Sequence, residues 1–286
     1  MNQQQSICSQ AREKTRAKRA ATQVFSFLTL RAAAFVNCAA LVIACVFLFV
    51  NGIGALNIDF VLDSPREMMT SGGVFPCLVG TFLLAAGAIA IALPFGVACA
   101  VWLNEYGKQG PVVDIVRLSV ANLAGVPSIV FGLFGLAFFV TALGFNVSLL
   151  SGILTLAVLT LPVIINTTEE ALKQVPRSWR DASLALGATK SQTIGRIVLP
   201  SALPGILTGA ILAVARAAGE TSAVMFTAAV FYTPKLPESV WSSVMALPYH
   251  MYVLATAGTE IEKTRPMQYG TGLLLVVLVF AMNLIA

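Results

Sequence analysis

Residues 176–200 read PRSWRDASLALGATKSQTIGRIVLP and form a polar interruption between two long apolar runs. Pro176 and Ser178 offer a helix start, with Asp181 three residues after Ser178 as a weak capping box. Gly187 offers a left-handed helix end, because glycine adopts positive φ without a steric cost. These signals predict one short helix that ends at Gly187.

A second helix start follows directly. Thr189, with Gln192 three residues later, is another capping box, and the helix that it opens should run toward Leu199 and Pro200. The stretch therefore predicts a helix-turn-helix.

The first of these helices carries an apolar stripe. Trp179, Ala182 and Leu186 are spaced i, i+3 and i+7, which places them on one face. The basic residues of the segment are expected to remain in water: Arg180, Lys190 and Arg196. An apolar face on a polar segment indicates that this helix packs into a groove on another part of the protein or on a partner.

The composition identifies an integral membrane protein. Hydrophobic residues make up 57% of the 286 residues, charged residues 11%, and the mean hydropathy is +0.84. The apolar runs match the roughly 20-residue helix that crosses a bilayer, and their unbroken apolarity argues against a barrel of alternating strands. We therefore expect an all-α polytopic fold. The five cysteines show no CxxC pairing and are assigned no chemistry.

Six transmembrane helices are predicted. They cover about residues 32–54, 74–103, 115–141, 149–165, 205–231 and 267–286. The expected domains are a basic cytoplasmic tail at 1–24 and a transmembrane domain at 25–286, in which 169–204 form a cytoplasmic coupling loop. A basic tail beside a span typically marks the inside face, so no nucleic-acid partner is expected.

Lysine and arginine counts orient these spans. Twelve basic residues fall on one side: Arg12, Lys14, Arg16, Lys18, Arg19, Arg31, Lys108, Lys173, Arg177, Arg180, Lys190 and Arg196. The other side has four: Arg66, Lys235, Lys263 and Arg265. The positive-inside bias predicts that the N-terminus and the helix-turn-helix lie in the cytoplasm.

The third span contains Gly125-Val126-Pro127. Pro127 removes a backbone hydrogen bond in mid-membrane, so a kink is expected. Two interpretations remain open: the kink serves packing, or a broken helix lines a translocation path.

The fifth span carries two charges within Arg216-Ala217-Ala218-Gly219-Glu220-Thr221. On a wheel of about 100° per residue, one sector of about 80° holds Gly205, Gly209, Ala213, Arg216, Glu220, Ala223 and Thr227. Small residues allow close helix approach, so Gly205 and Gly209 are expected at an interface with a companion membrane subunit. A substrate pathway is predicted at Arg216, Glu220, Thr221 and Thr227, because ionisable residues in a membrane are functional by default. The alternative is a structural Arg216–Glu220 ion pair.

The stretch at 176–200 also resembles the EAA loop of bacterial ABC-importer permeases. Gly187 is followed by nine residues and then by Ile-x-Leu-Pro, and Asp181-Ala182-Ser183 stands where the motif has Glu-Ala-Ala. The resemblance implies contact with an ATPase through Trp179, Asp181, Ala182, Ser183, Leu186, Gly187, Ile197 and Pro200. The alternative is an ordinary amphipathic turn on the cytoplasmic side.

Further strings are similar to phosphate-importer permeases of the PstA type. They are Met69-Thr70-Ser71-Gly72-Gly73, Leu103-Asn104-Glu105-Tyr106, Val126-Pro127-Ser128-Ile129-Val130-Phe131-Gly132, the fifth-span RAAGET string with Phe226-Thr227-Ala228, and Ala246-Leu247-Pro248. The resemblance implies a bacterial inner-membrane subunit that works with a companion permease, two cytoplasmic ABC ATPases and a periplasmic phosphate-binding protein. Membrane lipid is the remaining expected contact.

The chain has no G-x-x-x-x-G-K-[ST] phosphate cradle, so ATP and Mg²⁺ are expected on the partner ATPase and no cofactor in this chain. An enzyme is disfavoured because no acid–base pair, nucleophile beside a histidine or metal cluster is visible. The lone His250 is interpreted as a satisfied polar side chain. Two alternatives remain: a permease for another oxyanion, molybdate or sulfate, and an anion channel or carrier that does not use ATP.

Overall fold

The computed structural model describes residues 2–107, 110–257 and 261–285. The helices α1 to α12 span, in order, Asn2–Gly52, Ile58–Leu62, Phe75–Val101, Pro111–Ala124, Ser128–Gly135, Leu149–Gln174, Arg177–Ala185, Lys190–Thr193, Leu199–Ala218, Ser222–Thr227, Leu247–Thr256 and Ile261–Ile285. A two-residue strand β1, Pro65–Arg66, pairs antiparallel with β2, Ser71–Gly72. The expected all-α membrane fold is confirmed.

The chain divides into two compact units, Met1–Val50 and Asn51–Ala286. The predicted boundary at residues 24 and 25 falls inside α1, which is one continuous helix through that point. The side chains of the basic tail up to residue 22 lie outside the described part of the chain, as do Lys108, the side chain of Lys263 and Ala286.

Five described helical segments are long and apolar enough to cross a membrane. They are Ser26–Ala55, Phe75–Tyr106, Leu149–Gln174, Lys190–Ala218 and Thr264–Leu284. A sixth crossing is reached when the bent pair Pro111–Ala124 and Ser128–Ala142 is taken as one span. The structure thus accommodates six spans, but the third is broken, the fourth extends to Gln174, and the fifth runs over Lys190–Ala218 and not over the predicted 205–231.

The core of the larger unit forms where α3, α6 and α9 pack together. Ala88, Ala92 and Ala213 are fully buried in it. A Cβ on Gly96 of α3 would lie 2.6 Å from Cγ2 of Ile164 on α6, so the two backbones approach closely. Small residues at helix contacts provide this packing where lipid gives no hydrophobic drive.

Buried hydroxyl groups in these helices are satisfied locally. Thr155 Oγ1 donates to the carbonyl of Ser151 at 2.7 Å, and Thr160 Oγ1 donates to that of Leu156 at 2.8 Å. Each bond returns to the preceding turn of α6, so the threonines remain inside the membrane without needing a partner on another helix.

The third span is two arms and not one kinked rod. α4 ends at Ala124, α5 begins at Ser128, and the arms differ in direction by 102°. Pro127 lies at the junction, where its missing N–H and its ring prevent the helix from continuing. The predicted kink is confirmed, but a continuous span at residues 115–141 is wrong.

Between the predicted fifth and sixth spans, at residues 232–266, the structure contains the partly buried helix α11. Thr81 Oγ1 on α3 accepts a hydrogen bond from the Leu247 amide at 2.8 Å and so anchors the start of α11. His250 is 1% exposed. In the described part of the chain neither of its ring nitrogens has a hydrogen-bond partner, so its interpretation as a satisfied side chain is wrong.

Candidate functional site

The end of α7 is a Schellman turn at Gly187. Gly187 has φ +85° and donates its amide to the Leu184 carbonyl at 3.0 Å, while the Ala188 amide donates to the Ser183 carbonyl at 3.2 Å. Both bonds satisfy carbonyl groups that the helix end would otherwise leave free. The predicted left-handed helix end at Gly187 is confirmed.

The capping box at Thr189 is also confirmed. Thr189 Oγ1 accepts from the Gln192 amide, and Gln192 Oε1 accepts from the Thr189 amide at 2.9 Å. The weaker box of Ser178 and Asp181 is wrong: Pro176 occupies the N-cap position of α7, and no side chain caps that end.

The second arm of the helix-turn-helix is part of the fifth span. α8, a π-helical turn at Ile194–Val198 and α9 form the single helical segment Lys190–Ala218. Ile197 and Pro200 therefore belong to the first turns of a helical segment long enough to cross the membrane. α6 continues to Gln174 and α8 begins at Lys190, so the predicted coupling loop at 169–204 contains the end of α6, all of α7 and the start of the fifth span.

The predicted apolar stripe lies at the surface. Trp179 is 51% exposed and Leu186 89% exposed, and Ala182 and Asp181 are exposed beside them. Ser183 faces the opposite way, where its hydroxyl is 2.9 Å from Thr193 Oγ1 and joins α7 to α8. α7 thus presents an apolar face that nothing in the described chain covers.

Arg180 does not remain in water as expected. Its Nη2 lies 2.7 Å from Glu105 Oε1, at the end of α3, and its side chain is only 17% exposed. Lys190 and Arg196 are exposed, as predicted.

The fifth span is broken within the RAAGET string. α9 ends at Ala218, and the short helix α10 begins at Ser222. The Glu220 carboxylate caps α10, because Oε1 accepts from the amides of Ser222 at 3.1 Å and Ala223 at 3.4 Å. The helical wheel drawn through this point is therefore wrong beyond Ala218.

Arg216 and Glu220 act separately in this structure. Arg216 lies on the last turn of α9 and is exposed, and among the described residues its side chain has no ion pair or hydrogen bond. The intrahelical pair that the spacing of four suggests is not formed, because Glu220 has left the helix to cap α10. An unpaired cation is therefore available beside the break.

The two predicted threonines differ in accessibility. Thr221, within the break, is partly exposed. Thr227 is fully buried and donates its hydroxyl to the Ala223 carbonyl at 2.8 Å. Thr227 belongs to the helix packing in this structure, so Arg216, Glu220 and Thr221 are the accessible members of the predicted pathway.

Gly205 and Gly209 provide a close helix approach within the chain itself. A Cβ on Gly205 would lie 2.7 Å from Cβ of Ala171, and one on Gly209 would lie 2.1 Å from Oγ1 of Thr167. Both glycines of α9 thus admit α6 of the same chain. Their small size permits this close approach, and the interface with a companion permease stays a prediction.

The two broken spans meet through their short arms, since α5 packs against α10. A Cβ on Gly132 of α5 would lie 2.8 Å from the carbonyl oxygen of Ser222. One on Gly135 would lie 2.7 Å from Cγ2 of Thr227. Discontinuous helices whose backbones pack in this way are typical of substrate sites in transporters.

Residues 92–286 match the model of the family described as binding-protein-dependent transport system inner membrane component. The chain belongs to this family.

Two curated relatives illustrate the similarity. The chain is 33% identical over 266 residues to a probable ABC transporter permease protein, YqgI, of Bacillus subtilis, with 87% of this chain and 90% of that protein covered. It is 40% identical over 221 residues to the phosphate transport system permease protein PstA of Mycobacterium leprae, with 77% and 70% covered.

A solved structure supports the fold. A chain of the MetNI methionine ABC transporter, in an inward-facing conformation, aligns with a TM-score of 0.54 over 74% of this chain and 90% of that chain, at 24% identity. The chain is accordingly an all-α membrane permease of this family.

Residues 175–189, which contain α7 and join α6 to α8, are called the coupling turn below. Sequence reasoning missed two ion-pair groups near this turn. The first is Glu105 with Arg180. In the second, Glu169 Oε1 lies 2.8 Å from Arg117 Nη2 on α4 and 2.9 Å from Lys173 Nζ on α6. The Glu169–Lys173 spacing of four was a usable signal for a helical pair. The partners from α3 and α4 are set by tertiary packing and had no such signal.

Proposed function

We propose that the chain is the inner-membrane permease of an ATP-driven importer that carries inorganic phosphate from a periplasmic binding protein into the cytoplasm. The observation that carries the proposal is Arg216, an exposed arginine without a partner in the described chain, at the break of a membrane-spanning helix. The similarity to PstA proteins over most of the chain supports phosphate as the substrate.

Arg216 supplies the positively charged binding point that phosphate needs within the membrane. A guanidinium holds two oxygens of a phosphate through its planar fork of N–H donors. Glu220 lies four residues away, and its carboxylate accepts from an α10 amide. A negative group is thus near Arg216 without forming an ion pair with it. Thr221 offers a hydroxyl in the same break. Such a site binds the anion weakly enough to release it.

The exposed face of α7 is the docking surface for the motor. The sequence lacks a nucleotide-binding P-loop, so ATP and Mg²⁺ bind to separate subunits in this proposal. The full importer contains this permease, a companion permease, two cytoplasmic ABC ATPases and the binding protein. The basic-residue count supports a cytoplasmic N-terminus, which places α7 on the same side as the ATPases.

Transport then follows from closure of the ATPase pair. ATP binding moves α7 through its Trp179 and Leu186 contacts, and the packed helices rock between outward and inward openings around Arg216. The arms α5 and α10, packed at Gly132, are the discontinuous elements beside this site.

The test is uptake of radiolabelled phosphate, sulfate and molybdate by vesicles that contain the assembled importer and ATP. We expect phosphate uptake that requires ATP. Arg216→Ala should abolish most of it, and Arg216→Lys should restore a part, because lysine keeps the charge but not the fork. Arg66→Ala, which removes an exposed arginine of a surface ion pair, is the matched control.

Three results would overturn parts of the proposal. Uptake without nucleotide indicates a channel or gradient-driven carrier. Uptake of sulfate or molybdate in preference to phosphate corrects the substrate. Full uptake by Arg216→Ala at normal membrane abundance excludes Arg216 from the pathway.

The role of Glu220 is separated by two substitutions. Glu220→Gln keeps an oxygen that accepts from the α10 amides but removes the charge, whereas Glu220→Ala removes both. If the charge moderates phosphate binding, both variants bind phosphate more tightly and release it more slowly. If Glu220 only caps α10, Glu220→Gln behaves as the wild type, and Glu220→Ala loses about 1 kcal/mol of stability.

A further inference from the structure

The end of α3 holds the coupling turn by a buried ion pair. Arg180 of α7 donates from Nη2 to Glu105 Oε1 at 2.7 Å, and from Nε to Oε1 at 3.2 Å and Oε2 at 3.4 Å. Asn104 Nδ2 supports the same carboxylate at 2.9 Å. The Glu105 side chain is only 8% exposed, so this pair is little screened by solvent.

The same guanidinium also binds the end of α6. Nη1 donates to the Val175 carbonyl at 2.7 Å, and Nη2 donates to the Leu172 carbonyl at 2.9 Å. One arginine therefore connects the ends of α3 and α6 to α7. Lysine, with a single rotatable ammonium, does not reproduce this set of directed bonds.

A second contact joins the other arm of the turn to the same segment. The residues Trp102–Tyr106 form a π-helical turn that continues α3. Lys190, the first residue of α8, places its Nζ 5.0 Å from the ring centroid of Tyr106, within the range of a cation–π contact. Two adjacent residues at the end of α3 therefore contact the two helices: Glu105 binds Arg180 of α7, and Tyr106 contacts Lys190 of α8.

We infer that Glu105 is a positioning residue that transmits movement of the coupling turn to α3, an inference that rests on the proposed function. The backbone connects α7 to α6 on one side and to the fifth span on the other. The Arg180–Glu105 pair adds a connection to the end of α3, so a displacement of α7 also displaces α3. α3 packs closely against α6 at Gly96 and Ile164, so its movement reaches the core of the larger unit.

The experiment uses the complete importer in vesicles and compares Glu105→Gln, Arg180→Lys and Arg177→Gln. Arg177→Gln is the matched control, because it removes one positive charge from an exposed position on the same helix. Phosphate imported and ATP hydrolysed are measured together. Hydrogen–deuterium exchange of residues 177–188 is measured on the same importers.

In Glu105→Gln and Arg180→Lys we expect the ATPase to remain bound and to hydrolyse ATP, with several-fold less phosphate imported per ATP. Amide exchange in 177–188 should accelerate roughly tenfold, since a charge-assisted bond no longer holds α7. The double variant should import no less than the worse single variant, because both substitutions break one interaction. Arg177→Gln should match the wild type in both measurements.

The readouts separate failure of this inference from failure of the proposed function. A wild-type ratio of phosphate to ATP in Glu105→Gln and Arg180→Lys overturns the transmission role. Faster exchange with that unchanged ratio means that the pair is a local brace only, which also overturns it. If even the wild-type importer moves no phosphate, the proposed substrate is wrong. The binding-protein-stimulated ATPase rate of the variants then decides the coupling role without reference to phosphate.

Discussion

Replacement of Gly187 by valine tests whether the shape of the coupling turn matters for transport. A Cβ at this position meets nothing within 4 Å, so the substitution causes no collision. Its cost comes from the backbone, since φ is +85° and a side chain there strains the left-handed conformation by roughly 1–2 kcal/mol. A β-branched side chain lies at the upper end of that range.

The penalty acts on the Schellman turn. Its two hydrogen bonds, from Gly187 to Leu184 and from Ala188 to Ser183, require the left-handed residue. A penalty of about 1.4 kcal/mol lowers the ratio of chains with the turn formed to chains with the turn unwound about tenfold. The turn sets the orientation of α7 relative to α8. We therefore expect phosphate imported per ATP to fall several-fold in Gly187→Val.

Two other glycines provide matched controls. Gly144 has φ +70° and equally open space, so Gly144→Val carries the same backbone cost away from the coupling turn. Gly195 also has open space but lacks positive φ, so Gly195→Val adds the side chain near the turn without that strain. Thermal unfolding measures the stability of each variant, and uptake per ATP in vesicles measures coupling.

The expected pattern is specific. Gly187→Val and Gly144→Val should lose similar stability, and only Gly187→Val should lose coupling. Gly187→Asn should be milder, because asparagine tolerates the left-handed region better than valine. If Gly187→Val retains the wild-type ratio of phosphate to ATP with the ATPase bound, the geometry of this turn does not couple the motor to the membrane helices.

Three further predictions concern stability, each measured by thermal unfolding of the purified chain. Gly209→Val should cost about 1–3 kcal/mol by overpacking against Thr167, and an unchanged melting temperature would disprove the α6–α9 contact. Burial lowers the pKa of His250 to about 4, from 6.5, so the unfolded chain binds more protons between these values and stability falls as the pH drops through this window, by about 2 kcal/mol from pH 7 to pH 5. His250→Leu should remove that dependence, and an undiminished slope would show that other groups cause it. Glu169→Gln should cost about 1–2 kcal/mol by removing the anion that faces Arg117, which is itself half exposed, and no loss would indicate that solvent screening dominates.

The features that sequence predicted well depend on local chemistry. The helix end at Gly187 and the capping box at Thr189 and Gln192 each involve backbone groups within a few residues, so residue type alone indicates them. The break at Pro127 is of the same kind, because the missing N–H is a property of that residue. The bend of 102° could not be predicted, since it depends on what each arm packs against.

The features that sequence missed depend on partners distant in the chain. Arg180 was expected in water because its neighbours on α7 are polar, but Glu105, which lies 75 residues earlier, removes it from solvent. Gly209 was correctly interpreted as a place of close helix approach. A glycine does not specify which helix approaches, and here it is α6 through Thr167.

The broken fifth span explains how two charges can occupy a membrane helix without neutralising each other. An unbroken helix would place Arg216 and Glu220 one turn apart, where pairing would lower the cost of burying both. In the structure the break at Gly219 separates them, and the Glu220 carboxylate is satisfied by the Ser222 and Ala223 amides instead. Arg216 consequently keeps its full hydrogen-bonding capacity and can bind an anion from outside the described chain. A structural ion pair would occupy that capacity, so the separation of the two residues favours a transport role for the arginine over a structural one.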